Sequence, residues 1–106
     1  MASSKEYLDF ILEQLSELGE ISYRPMMGEY ILYYRGKIIG GIYDNRLLLK
    51  PVKAIMGQLG QTRLERPYEG AKEMILLEDL EDKLFLARLI KDMYEVLPAP
   101  KVKKKA

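Results

Sequence analysis

The 106-residue sequence contains no cysteine, no histidine and no tryptophan. Without cysteine there is no disulfide framework and no thiolate nucleophile, and without histidine the commonest general base at neutral pH is missing. The same two absences remove most protein ligands of transition metals. We therefore expect no catalytic, metal or cofactor site, and we predict that the protein is not an enzyme.

An excess of one charge and long apolar runs are also missing. Seventeen basic residues oppose sixteen acidic residues, and the net charge of +1 provides no strong field to steer the domain towards nucleic acid or anionic lipid. No apolar run approaches the ~20 residues that cross a bilayer, and the N-terminus lacks the pattern of a signal peptide. We expect a cytoplasmic protein with no membrane segment.

The rest of the composition is that of an ordinary globular domain. Hydrophobic residues make up 48% of the chain and charged residues 31%, far from the mixture that keeps a chain disordered. The length suffices for one hydrophobic core. We predict a single domain over residues 1–98, followed by a disordered basic tail over residues 99–106.

Three segments carry helical periodicity. Ser3 and Glu6 have the spacing of a capping box, and the apolar residues that follow recur at three- and four-residue steps, which predicts a first helix over residues 4–18. A short second helix should begin after Pro51, whose fixed φ suits the first helical turn. Asp79 is placed to cap a third helix with one long apolar stripe.

A meander of three strands is the clearest local signal. Runs rich in β-branched and aromatic residues cover residues 29–34, 38–43 and 46–50, and they are separated by Arg35-Gly36 and Asp44-Asn45. Gly36 and Asn45 tolerate the positive φ of a tight hairpin turn. The three runs should therefore pair as antiparallel neighbours.

Further strands complete the predicted fold. Residues 21–24 form a short strand or an extended lead-in that should end before Pro25, and residues 62–66 and 73–77 read as strands on either side of a loop. The order α-β3-α-β2-α favours an α+β fold, a two-layer sandwich of helices on one face of an antiparallel sheet.

Tyrosine is unusually frequent, with eight residues in the chain. Four of them fall within the meander and could form a stacking platform for single-stranded nucleic acid. Such platforms need a basic groove, whereas Glu29 and Asp44 interrupt the few nearby basic residues. We favour packing in the core or at an oligomer interface, and we do not expect direct nucleic-acid binding. The four residues are Tyr30, Tyr33, Tyr34 and Tyr43.

Three motifs resemble one known family, the N-terminal domain of the TfoX/Sxy competence regulators. They are Arg24-Pro25-Met26-Met27-Gly28, Tyr30-Ile31-Leu32-Tyr33 and Leu47-Leu48-Leu49-Lys50. The family pattern looks like an amphipathic helix, an Arg-x-Met-Phe-Gly stretch, a tyrosine-containing strand and a hairpin that ends in Leu-x-Leu-Lys. The order also matches at Pro67-Tyr68 and in the closing helix. Met27 stands where the family usually has phenylalanine.

The resemblance implies a fold similar to that of type III secretion chaperones and a role in regulation. Members linked to competence are described as transcriptional co-activators that work with a cAMP receptor protein. Full-length regulators of this family add a C-terminal helical domain, so this chain is interpreted as a stand-alone N-terminal domain.

Two functional hypotheses follow. The first is a non-catalytic regulatory module that binds a protein partner, which could be a transcription factor, RNA polymerase or another protein. Its contact surface would include the adjacent methionines, because methionine is an adaptable contact residue. The second is a chaperone-like or small-ligand-binding homodimer that uses an apolar groove. The residues predicted to bind the partner are Arg24, Met26, Met27, Gly28 and Tyr30.

Overall fold

The computed structural model describes residues 3–59 and 63–97. The helices are α1 (Lys5–Gln14), α2 (Lys53–Leu59) and α3 (Lys83–Val96). The strands are β1 (Ile21–Met26), β2 (Glu29–Tyr34), β3 (Lys37–Ile42), β4 (Leu47–Leu49), β5 (Arg63–Glu65) and β6 (Met74–Leu77). All six strands form one antiparallel sheet in the order β1-β2-β3-β4-β6-β5. The prediction of an α+β fold with an antiparallel sheet is confirmed.

The element order differs from α-β3-α-β2-α by one strand, because the predicted lead-in is the full edge strand β1. Its pairing with β2 continues through Pro25 to Met26. The Arg35 N–H donates to the Glu20 carbonyl, so the backbone groups of Glu20 face β2. In an antiparallel ladder the backbone groups of successive residues alternate between the partner strand and the opposite side, and the Pro25 nitrogen therefore faces the free edge. Proline is tolerated there because no ladder bond needs its N–H. The prediction that the strand ends before Pro25 was wrong for this reason.

Three two-residue turns connect β1 to β4. Both residues of each turn have positive φ: 51° and 86° at Met27-Gly28, 52° and 85° at Arg35-Gly36, and 54° and 55° at Asp44-Asn45. This is the backbone of a type I′ turn, whose twist matches that of the flanking strands. The turns predicted at Arg35-Gly36 and Asp44-Asn45 are confirmed, whereas the first turn was not predicted.

Helix α1 is shorter than predicted at both ends. Its N-cap is Ser4, whose hydroxyl accepts the Tyr7 N–H, so the expected capping box at Ser3 does not form. The α-helix ends at Gln14 because the following N–H groups of Ser16 and Leu18 bond to carbonyls only three residues back. This tighter turn still delivers Leu18 to the core.

Helix α3 begins three residues later than an Asp79 cap would place it. The Asp82 carboxylate accepts the Phe85 N–H and is the N-cap. The residues before Asp82 instead connect the sheet to the layer of helices. Among them, Leu80 is half-buried against the core, and its carbonyl accepts a hydrogen bond from the Gln14 side-chain amide.

The hydrophobic core lies between the helices and the inner face of the sheet. All three helices contribute buried residues to it, as do strands β2, β3, β4 and β6. The pairing of β2 with β3 contains a bulge at Leu32 and Tyr33. The glycine at residue 40 lets the backbones of β3 and β4 approach closely, since a Cβ at Gly40 would collide with the Leu48 carbonyl.

The outer face of the sheet is also apolar. One row of paired residues crosses it from β2 to β6, through Ile31, Gly41, Leu48 and Leu76. Leu48 is fully buried although it points away from the core. The loop of residues 66–73 lies against this face, since the Tyr68 ring contacts Tyr43, which also points outwards. This loop positions the candidate site.

The predicted tail over residues 99–106 lies outside the described residues, so its prediction stays untested. Within residues 3–59 and 63–97, no helix combines the length and apolar content that crossing a bilayer requires.

Candidate functional site

Met27 is the most unusual residue of the described surface. It occupies the first position of the turn between β1 and β2 with a φ of 51°, where glycine, asparagine and aspartate are favoured and a long side chain adds strain. Its side chain is 95% exposed. A large apolar side chain therefore stands in solvent on a backbone that disfavours it, and such local conflict is typical of functional positions.

A pocket of about 430 Å³ lies beside this turn on the outer face of the sheet. We call it the Met–Tyr pocket. Thioether and aromatic groups form most of its wall, and one carboxylate faces it. It is lined by Met26, Met27, Glu29, Tyr43, Pro67 and Tyr68.

The wall of the pocket comes from three separate parts of the chain. The rings of Tyr43 and Tyr68 meet edge to face with their centroids 6.3 Å apart, which is a favourable aromatic geometry. Tyr43 is 8% exposed and fixed, whereas Tyr68 is 60% exposed at the rim. The loop that carries Pro67 and Tyr68 thus meets the methionine turn across the Tyr43 ring.

Glu29 is held in place by the N-terminal segment. Its Oε1 atom accepts the Ser3 hydroxyl at 2.6 Å and the Asp44 N–H at 3.1 Å. The buried Ser3 hydroxyl in turn accepts the Asn45 N–H, and the Ser3 N–H donates to the Gly28 carbonyl. These bonds tie the methionine turn to the turn between β3 and β4, so the pocket has a preorganised polar side.

Burial raises the pKa of the Tyr43 hydroxyl, and the charges of Tyr68 and Glu29 raise it further. The phenol therefore stays neutral and able to donate a hydrogen bond at physiological pH. A neutral phenol beside thioethers suits binding of an apolar group with one polar atom.

The structure does not place the five predicted partner-binding residues on one surface. Met26 and Met27 line the Met–Tyr pocket, and Gly28 completes the turn beside it. Arg24 shares the outer face but borders a separate shallow depression with Tyr33. Tyr30 points to the inner face, half-buried against the core, where its ring meets Tyr23.

Four residues of the pocket were missing from the predicted site: Glu29, Tyr43, Pro67 and Tyr68. Tyr43 was assigned to the core or an interface among the meander tyrosines, and Tyr68 was noted only within the Pro67-Tyr68 motif. The one signal in the sequence was the presence of both Met26-Met27 and Pro67-Tyr68 among the family motifs. Their contact across Tyr43 depends on the path of a loop, which no local periodicity encodes.

The described ranges hold other exposed apolar side chains: Tyr23, Ile38 and Leu64 on strands β1, β3 and β5, and three more on the helices. Phe10 lies on α1, and Leu84 and Val96 lie near opposite ends of α3. Isolated exposed apolar residues are normal on protein surfaces. Residues 3–59 and 63–97 also contain no cluster of acidic side chains with the geometry of a metal site.

Comparisons with known proteins identify the family. The family model of the TfoX N-terminal domain matches residues 13–95. A protein of Spirochaeta aurantia, described as an uncharacterized 12.7 kDa protein in the trpE 5′ region, is 33% identical over 105 residues, which cover 98% of this chain and 91% of that protein. No solved structure matches significantly. The chain belongs to the TfoX N-terminal domain family.

Proposed function

We propose that this chain is a non-catalytic regulatory module that binds a protein partner through the Met–Tyr pocket. The observation that carries the proposal is Met27, 95% exposed in a left-handed backbone conformation. Such a placement costs stability, and it is explained if the side chain becomes buried against a partner.

The chemistry of the pocket indicates the kind of contact. Met26 and Met27 can adjust their rotamers around an inserted side chain, while Tyr43 and Tyr68 offer rigid aromatic surface and hydroxyl groups. A volume of about 430 Å³ accommodates one or two apolar anchor residues of a partner segment. The ordered Glu29 carboxylate beside them favours a segment with a basic residue or a free N–H next to its anchor.

Family membership supports the regulatory role. The TfoX N-terminal domain is a regulatory family without enzymatic activity, and the resemblance implies a competence-type transcriptional role. A transcription factor or RNA polymerase is therefore the partner that we propose.

Site-specific photo-crosslinking in the native host tests the proposal. A benzoylphenylalanine placed at Met27 or Tyr68 should capture the same protein. Leu84, which is 72% exposed on α3, provides the control, because a crosslinker there tests an exposed apolar position outside the pocket. Capture of the same proteins at positions 27 and 84, or of none at 27 and 68, would contradict this function.

A homodimeric, chaperone-like role is the second candidate, and the free edge of β1 favours it. Ile21 and Tyr23 share the orientation of Pro25, so their backbone N–H and C=O groups face away from β2. Such an edge can extend a sheet across two copies of the chain. Sedimentation velocity distinguishes the candidates: a monomer over the whole accessible concentration range would exclude the homodimer.

A further inference from the structure

A second pocket adjoins the Met–Tyr pocket, with a volume of about 650 Å³. It shares the walls formed by Tyr43, Pro67 and Tyr68 and extends under the 66–73 loop to the end of α3. We call it the lysine pocket. Its own lining includes Lys50, Val52, Lys72, Glu73, Met74 and Leu97.

Both lysines of this pocket are free of carboxylate partners within the described part of the chain. The six ion pairs there involve other basic residues, and neither the Lys50 nor the Lys72 ammonium makes a hydrogen bond. Lys50 is half-buried and Lys72 is exposed, and among the described residues no carboxylate within ion-pair distance provides compensation for either charge. An anionic group between the two lysines would supply that compensation.

The other lining residues determine what must be attached to the anion. Val52, Met74 and Leu97 offer aliphatic and thioether surface, and Leu97 is almost fully buried. A cavity of this size is within the range of small-molecule sites, which combine apolar walls with a few polar groups. The lining carries two positive charges from the lysines and one negative charge from Glu73, so it favours a ligand with one negative charge over a ligand with two.

We propose that the lysine pocket binds a small amphipathic carboxylate, with its carboxylate between Lys50 and Lys72 and its apolar body against Val52, Met74 and Leu97. This site adjoins the docking surface and shares the walls of Tyr43, Pro67 and Tyr68 with it, but Met26 and Met27 do not line it. It would give the domain a ligand-binding activity in addition to protein binding.

Calorimetric titration of the intact chain with decanoate, and with 1-decanol as the uncharged match, tests the proposal. We expect saturable binding of decanoate and at least about tenfold weaker binding of 1-decanol, since one charge-assisted contact contributes that much. The double variant Lys50→Met, Lys72→Met should lose about tenfold in decanoate affinity and keep its 1-decanol affinity, which also shows that the pocket remains folded.

Three further variants locate the site. Glu73→Gln should tighten decanoate binding by about threefold, because it removes the opposing charge. Lys91→Met and Leu84→Asn, both at exposed positions of α3, should leave it unchanged. Equal affinity for decanoate and 1-decanol, no effect of the double lysine variant, or no saturable decanoate binding would overturn the proposal.

Discussion

The ring of Tyr43 lies over Gly41, so closely that a Cβ atom at residue 41 would stand 2.7 Å from the Tyr43 Cε2 atom. The same Cβ would stand 2.6 Å from the Tyr30 carbonyl oxygen. Glycine at this position of β3 therefore lets the tyrosine ring approach the sheet and form the shared wall of both pockets.

Replacing Gly41 with alanine should force the Tyr43 ring outwards. We expect a loss of about 1–3 kcal/mol in the free energy of unfolding, as for other overpacked sites. Gly57→Ala is the control: nothing lies within 4 Å of its Cβ position in α2, so it should raise stability by about 0.5–1 kcal/mol. Urea unfolding measures both, and equal stability of the two variants would contradict the packing described for Tyr43.

Ser3→Ala should destabilise the protein although the residue precedes the first helix. The substitution leaves the Asn45 N–H without its acceptor and removes a donor from Glu29, which should cost about 1–2 kcal/mol. Ser16→Ala is the matched control, since Ser16 is exposed. Thermal unfolding followed by circular dichroism would show the difference, and a Tm for Ser3→Ala equal to that of the control would argue against the network.

Lys37 caps the C-terminus of α3 from the sheet. Its ammonium donates to the Tyr94 and Leu97 carbonyls at 2.8 and 2.9 Å and lies 4.0 Å from the centroid of the Tyr94 ring. Lys37→Met should therefore cost about 1–3 kcal/mol. Hydrogen exchange should show the loss in the last turn of α3. Lys91→Met should leave that exchange unchanged, and unchanged exchange in Lys37→Met would rule out the cap.

Alkaline pH should unfold the protein partly through Tyr43. Because its pKa is raised by burial in the folded state, the folded protein holds this proton more tightly than the unfolded chain does. The stability contribution is complete below the tyrosine pKa of the unfolded chain, about 10, and is lost as pH rises through the folded pKa. Tyr43→Phe should flatten this loss, as measured by urea unfolding at a series of alkaline pH values. An identical pH dependence in the variant would contradict the shift.

The sequence predicted those features of the fold that depend on local chemistry. The turns at Arg35-Gly36 and Asp44-Asn45 were predictable because glycine and asparagine tolerate positive φ. Strand β1 was underestimated because Pro25 is a strand breaker in general, and only its place at a sheet edge makes it harmless. The turn at Met27-Gly28 was missed because methionine is poorly suited to positive φ.

The candidate site was predictable only in part. Met26 and Met27 were predicted as contact residues from their unusual composition, and Tyr30 was grouped with them. Because side chains alternate along β2, the structure places Tyr30 on the opposite face of the sheet. The contact between Tyr43 and Tyr68 depends on the loop that crosses the outer face. Likeness to secretion chaperones stays a prediction, as no solved structure matches.

The central claim is tested most directly with the partner that the crosslinker at position 27 captures. Calorimetry measures the affinity of this partner for the Met27→Asn variant, and urea unfolding measures the stability of the same variant. Asparagine suits the left-handed backbone, so the variant should be more stable by about 0.5–1 kcal/mol. It should nevertheless bind the partner at least about tenfold more weakly, because the exposed anchor is gone. Leu84→Asn should bind like the wild type. Unchanged affinity in a stabilised Met27→Asn variant would contradict the assignment of the Met–Tyr pocket as the docking site.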